Sequence, residues 1–238
     1  ALGLGHPVMQ RLPRWWHRLM CRVIGLRVGV RGGLAPERPL LLVANHVSWK
    51  DILVLGSVAD VVFIAKSEGR SWPVLGWLAR LQRSVFVERD ARRKTGDQIS
   101  EVSGRLIAGE AVVLFAEGTT SDGNRVMPFN SSLFGAATAA LPFAPEGAVH
   151  IQPVSIAYTG IHGMPMGRYH RPVAGWPGDV ALVPHMLRVI RGGALDVEVV
   201  FGETIRFDAT TDRKKTARLV EARVRDGLNA ALRGRFNG

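Results

Sequence analysis

Apolar runs of strand length recur along this chain, at 40–44, 60–65 (DVVFIA), 84–88 (SVFVE), 111–116 (AVVLFA), 151–158 (IQPVSIAY) and 197–201 (VEVVF). Helical patterns lie between several of them, at about 51–58, 73–81, 97–108 and 131–140, and a basic helix is expected near 212–233. Strands that alternate with helices are joined by crossovers, which restricts the chain to an α/β fold. The expected architecture is a mixed, mainly parallel sheet flanked by helices on both faces. With 238 residues, 47% of them hydrophobic, the chain can bury a full core of this kind. Function in such sheets collects in the loops beyond the carboxyl ends of the strands.

One of those loops stands out. The run Pro39-Leu40-Leu41-Leu42-Val43-Ala44 leads directly into Asn45-His46-Val47-Ser48-Trp49-Lys50-Asp51. His46 can exchange a proton near neutral pH, and Asp51, five residues on, can fix the ring's tautomer and stabilise its charged form. Together they are equipment for drawing a proton from a hydroxyl. A strand–helix junction capped by Ser48 or Asn45, with no chemistry, has the same spacing, so the rest of the chain must decide. At the end of the 111–116 run stands a second candidate, Glu117, followed by Gly118.

Charge narrows the partners. Lys and Arg number 31 against 20 Asp and Glu, a formal net charge of +11, and 26 of the cations are Arg. Such an excess implies an anionic partner. No nucleic-acid-binding motif accompanies it, so an anionic membrane surface is expected rather than nucleic acid. Residues 11–28 read as one amphipathic helix. Arg14, Arg18 and Arg22 share one face, and Leu12, Trp16, Leu19, Val23 and Leu26 another. Arg opposite Trp and Leu suits a helix lying in a membrane interface. A helix packed on the domain with a solvated Arg face would carry the same pattern. Residues 1–30 are expected to form the membrane-associated segment and 31–238 the domain. No run of about 18 apolar residues occurs to span a membrane, and the chain starts at Ala1, which leaves room for an upstream anchor. The single Cys21 excludes an internal disulfide and fits a reducing compartment. His162, His170 and His185 lack a tight ligand spacing, and no metal or cofactor is expected. Residues 160–180, rich in Gly, Pro and His, read as a long connection or lid.

Three further segments turn the heptad into a constellation: Ser84-Val85-Phe86-Val87-Glu88-Arg89, Phe115-Ala116-Glu117-Gly118-Thr119-Thr120-Ser121 and Ile151-Gln152-Pro153-Val154. In order and separation they resemble the four blocks of the glycerolipid acyltransferases of the lysophosphatidate type, over roughly residues 40–160. The resemblance implies a glycerol-3-phosphate acyltransferase-like domain in which His46 is the general base and Asp51 orients it. It also implies that Arg89 holds an anionic head group, that Glu117 and Gly118 position the acceptor, and that Asn45, Thr119, Thr120 and Arg125 contribute to its binding. The donor would be an acyl thioester, acyl carrier protein or acyl-CoA, attacked directly by the acceptor hydroxyl, since no G-x-S-x-G elbow is present. The setting would be the cytoplasmic face of the inner membrane, the protein being peripheral or held by an upstream segment.

The chain departs from the family pattern at several positions. Thr120 stands where Arg is usual, Asn130 where Lys is usual, Ser84 for Gly and Ala116 for Pro, while Arg125 offers a replacement cation. On the resemblance the first expectation for the acceptor is 1-acyl-sn-glycerol-3-phosphate, giving phosphatidate. The Glu117–Gly123 stretch (EGTTSDG), Trp16-His17-Arg18 and Gly178-Asp179 with Pro184-His185 resemble a branch containing lyso-ornithine lipid acyltransferases, which supplies the second. A non-catalytic, basic membrane- or nucleic-acid-binding protein is the alternative of another class. It gives no reason for His46, Asp51, Arg89 and Glu117 to converge.

Overall fold

A computed structural model describes residues 6–66, 85–87, 95–177 and 180–234 of the protein. In chain order the elements are α1 (His6–Val23), β1 (Leu26–Arg31), β2 (Leu40–Ala44), α2 (Lys50–Val58), β3 (Val62–Lys66), β4 (Val85–Val87), α3 (Thr95–Ile107) and β5 (Ala111–Phe115). They continue with α4 (Gly135–Ala140), β6 (Ala148–Ile161), β7 (Met164–Pro165), α5 (Leu182–Gly192), β8 (Leu195–Phe201), β9 (Ile205–Asp208) and α6 (Arg213–Leu232). The expected helix at 73–81 falls outside the described residues.

The strands form one sheet in the order β1-β8-β6-β2-β5-β3-β4, with β7 and β9 both paired to β6. β2 lies parallel between β5 and β6, and all five residues of β2 and of β5 are buried. Covered on both faces, such strands become continuous apolar runs. Among the described residues, only the pairings of β6 with β7, β8 and β9 are antiparallel. Register positions the site: Ala44 is level with Phe115 on one side and Val154 on the other. The chain therefore leaves β2 at Asn45 beside the exit of β5 at Ala116.

Helices cover both faces. One core takes Cys21 from α1, Ile24 from the turn that follows it, Val54 and Leu55 from α2 and Val189 from α5. The other takes Val102 and Leu106 from α3, Ala137 and Ala140 from α4, and Val220, Val224 and Leu228 from α6.

Pro153 is neither in an edge strand nor at a strand start. One edge of β6 pairs with β9 through Ile151 and with β8 from Val154. Pro153 sits between the two ladders, where its missing N–H costs nothing on that side. The buried Gln152 side chain fills the same gap, donating to the carbonyls of Gly33 and Gly202 and accepting from Ala35 N.

The amphipathic reading of 11–28 is corrected in two respects. The helix stops at Val23, Gly25 turns the chain at φ 72°, and Leu26–Arg31 becomes an edge strand. Relative to a helix packed on the domain with a solvated Arg face, its faces are also inverted, the apolar side staying outward as in the interface-lying reading. Arg14 Nη2 donates to Val58 O (2.8 Å) and Arg18 Nε to Ser57 O (2.9 Å), the free carbonyls at the C-terminus of α2. Leu12, Trp15, Leu19 and Val23 are left exposed. Among the described residues no helix is long and apolar enough to cross a membrane.

Close approach of α1 to α2 rests on Gly56, where a Cβ would stand 2.7 Å from His17 Nδ1. Gly56→Ala should therefore lower the Tm even though Ala favours helices, with crowding costing about 1–3 kcal/mol. Thermal unfolding checks it, and an unchanged or higher Tm would mean that α1 is free to retreat.

Candidate active site

Asp51 lies in the first turn of α2 with no solvent exposure. Its Oδ2 accepts from the amides of Val47 (2.6 Å) and Ser48 (2.9 Å) and meets His46 Nδ1 at 2.8 Å. Its Oδ1 accepts from the Tyr158 hydroxyl at 2.9 Å. With Nδ1–H donating to the carboxylate, His46 keeps the lone pair on Nε2. The ring stacks on Phe115 with centroids 4.0 Å apart and planes 16° from parallel. Its side chain is 19% exposed, so solvent reaches the imidazole but not the carboxylate behind it. This arrangement can accept a proton from a hydroxyl.

The third motif braces the heptad's backbone. Glu117 Oε2 accepts from His46 N (3.1 Å), its Oε1 accepts from Met127 N (2.9 Å), and Ser121 N donates to His46 O (2.8 Å). Gly118 makes the intervening turn with φ 72°, a conformation that side chains disfavour. Burial pushes the Glu117 carboxyl up to about 8, against the pull of its two amide donors.

Asn45 is fully buried, and its amide exchanges two hydrogen bonds with the backbone of Ile156 on β6. Its side chain thus positions the loop. Thr120 donates its hydroxyl to Trp176 O, which brings in the 160–180 connection, and Trp176 N donates to Val47 O (2.8 Å). Thr119 and Arg125 are exposed, Arg125 acting electrostatically on Asp122. Arg89 lies outside the described residues.

Two buried groups escaped the sequence reading. Lys50, wholly buried, donates to Ser48 Oγ (2.9 Å) and Ala174 O (2.8 Å) and lies 5.2 Å from the Tyr158 ring centre. Burial lowers its ammonium to about 8, with Asp51 opposing the shift. Tyr158, also fully buried, has its hydroxyl pushed well above the ordinary range, first by burial and then by the charge of Asp51. Its signal was a Tyr inside an apolar run, a residue whose hydroxyl needs a partner when buried. His185, one of the histidines noted in the sequence, is buried as well, and its Nδ1 accepts from Trp49 Nε1 at 3.0 Å.

Residues 27–157 match the family model for acyltransferases. The chain belongs to the acyltransferase family. Over 224 residues it is 62% identical to the lyso-ornithine lipid O-acyltransferase of Rhizobium meliloti (strain 1021), covering 94% of this chain and 77% of that protein. Its identity to the Brucella abortus (strain 2308) protein of the same name is 58% over 226 residues, 95% of this chain and 85% of the relative. Among solved structures it resembles the 1-acyl-sn-glycerophosphate acyltransferase PlsC of Thermotoga maritima. The TM-score is 0.67 at 24% identity, over 96% of this chain and 81% of that one. The last likeness bears on the fold alone. The protein is thus an enzyme, an acyltransferase built on the expected mixed, mainly parallel sheet.

Glu117 gives a pH signature. The folded protein holds its proton up to about 8, whereas the unfolded chain releases it near the ordinary 4.5. The native state binds more protons in between, so stability falls as pH rises through that window. Lys50 acts oppositely from about 8 to 10.5, where the unfolded chain binds more protons and stability rises. Glu117→Gln should flatten the first slope and leave the second. Urea unfolding across both windows reads this, and an unaltered first slope would remove Glu117 as its source.

Proposed function

We propose that the protein is a lysolipid O-acyltransferase whose acceptor is lyso-ornithine lipid and whose donor is an acyl thioester of acyl carrier protein or CoA. His46 Nε2 takes the proton of the acceptor hydroxyl while Nδ1–H stays on Asp51. The freed oxygen attacks the thioester carbonyl, the C–S bond breaks, and the departing thiolate recovers the proton from His46. Asp51 orients the ring and stabilises the imidazolium. Gly118 and Thr119 border the acceptor at the turn, and Arg89 meets the anionic part of its head group. We set the reaction at the cytoplasmic face of the inner membrane, a reading supported by the net charge of +11, which suits an anionic lipid surface.

One observation carries the choice of acceptor. The position where the lysophosphatidate-type pattern has Arg is Thr120, and its hydroxyl is spent on the Trp176 carbonyl. Asn130, where that pattern has Lys, caps a short helical turn through Ser132 N. In their place stand opposite charges, Asp122 and Arg125. Burial works against the Asp122 charge, but hydrogen bonds from Asn124 and the charge of Arg125 outweigh it, and the carboxyl is held below its ordinary range. An amine and a carboxylate on one head group complement that pair, whereas a phosphate would face Asp122. The names of the two relatives, each matched over nearly the whole chain, support the same reading. Lysophosphatidate, the first expectation from sequence, yields to the second.

The test offers the purified enzyme equal amounts of lyso-ornithine lipid and lysophosphatidate and reads the products by mass spectrometry. Ornithine lipid should dominate. Asp122→Asn should cut that product by roughly ten-fold or more, since a hydrogen bond to a charged group is worth about 1.5–3 kcal/mol, while phosphatidate formation holds or rises. Predominant phosphatidate from the wild type would overturn the proposal.

A further inference from the structure

The helix α5 was not legible as a helix, and its outer face has no role in the chemistry above. His185 and Val189 point inward, whereas Val183, Leu187 and Ile190 are exposed, Val183 by 64%. Spaced at i, i+4 and i+7, the three form one apolar stripe. Arg188 and Arg191 flank it, and the helix contains no acidic residue. Val183, Pro184, Leu187, Arg188 and Arg191 line a shallow hollow on this face. On the same side of the sheet α1 presents a second such stripe, with Trp15 exposed by 70% beside Leu12, Leu19 and Val23. Both helices root in one core, α1 through Cys21 and α5 through Val189.

We infer that α5 is a membrane-docking element, seating Val183, Leu187 and Ile190 at the acyl-chain boundary while Arg188 and Arg191 meet anionic head groups. The charge selects the occupant: a stripe edged only by arginines complements an anionic lipid surface, and a second copy would bring like charge against like. Docking at α5 also reaches the site. Its inward His185 accepts the hydrogen bond of Trp49, a residue of the catalytic heptad (3.0 Å), so the surface that holds α5 lies close to where a lipid acceptor must arrive. That consequence rests on the acceptor being a membrane lipid; the docking itself does not.

The experiment uses the whole chain and co-sedimentation with vesicles of phosphatidylglycerol and phosphatidylcholine, or of phosphatidylcholine alone. Arg188→Gln with Arg191→Gln should weaken binding to the anionic vesicles by roughly 25-fold at low salt, about 5-fold per arginine, and high salt should erase the difference. Leu187→Ser with Ile190→Ser should weaken binding at both salt concentrations. Circular dichroism and Tm should match wild type, as all four side chains are exposed. Turnover of detergent-dispersed acceptor should be retained and that of vesicle-embedded acceptor reduced. Wild-type vesicle binding by both double variants would overturn the inference. So would a wild-type dimer that the apolar variants dissociate, which would make a second copy the occupant. Vesicle binding is read without turnover, so failure of the proposed acceptor leaves its outcome interpretable.

Discussion

Asp51 is cut off from solvent, and its two oxygens take donors from His46, Val47, Ser48 and Tyr158. A carboxylate stripped of water costs several kcal/mol unless donors replace it. Three of its donors belong to the loop just before its own helix, so satisfying the carboxylate and folding the loop are one event. The imidazole is fixed by the same bonds, and with it the tautomer that leaves Nε2 free to accept.

The loop is held from every side by hydrogen bonds that each engage a main-chain group. Asn45 ties it to β6 through Ile156, Glu117 and Ser121 hold His46 from the β5 exit, and Trp176 holds Val47 from the long connection. These braces follow from register, since parallel pairing of β2 with β5 and β6 sets Ala44 level with Phe115 and Val154. Family blocks far apart in sequence thus act on one short loop. Their polar side chains serve partly as scaffolding, and Glu117, with both oxygens given to backbone amides, is the plainest case.

The buried strands and the His46–Asp51 pair were readable because their signals are local: unbroken apolar runs and a five-residue spacing. Other features were hidden by long-range physics. Periodicity gave α1 two faces but not which one turns inward, a choice made by the carbonyls of Ser57 and Val58 at the end of α2. β1 read as a continuation of that helix because only β8, far along the chain, completes it as a strand. Pro184 and the Gly-rich stretch before it concealed α5. Lys50 sat inside the heptad in full view, yet nothing local says that a lysine is wholly buried there against Ser48, Ala174 and Tyr158.

The central claim is that His46 and Asp51 work as one base. A double-mutant cycle on kcat/KM with His46→Ala and Asp51→Asn tests it most directly. His46→Ala should cost about 10²–10⁴-fold, and Asp51→Asn less. Groups that act as a unit are not additive, so the account predicts that the double variant is no slower than His46→Ala alone. A double variant slowed by the product of the two single effects would contradict it, because Asp51 would then act without passing through the imidazole.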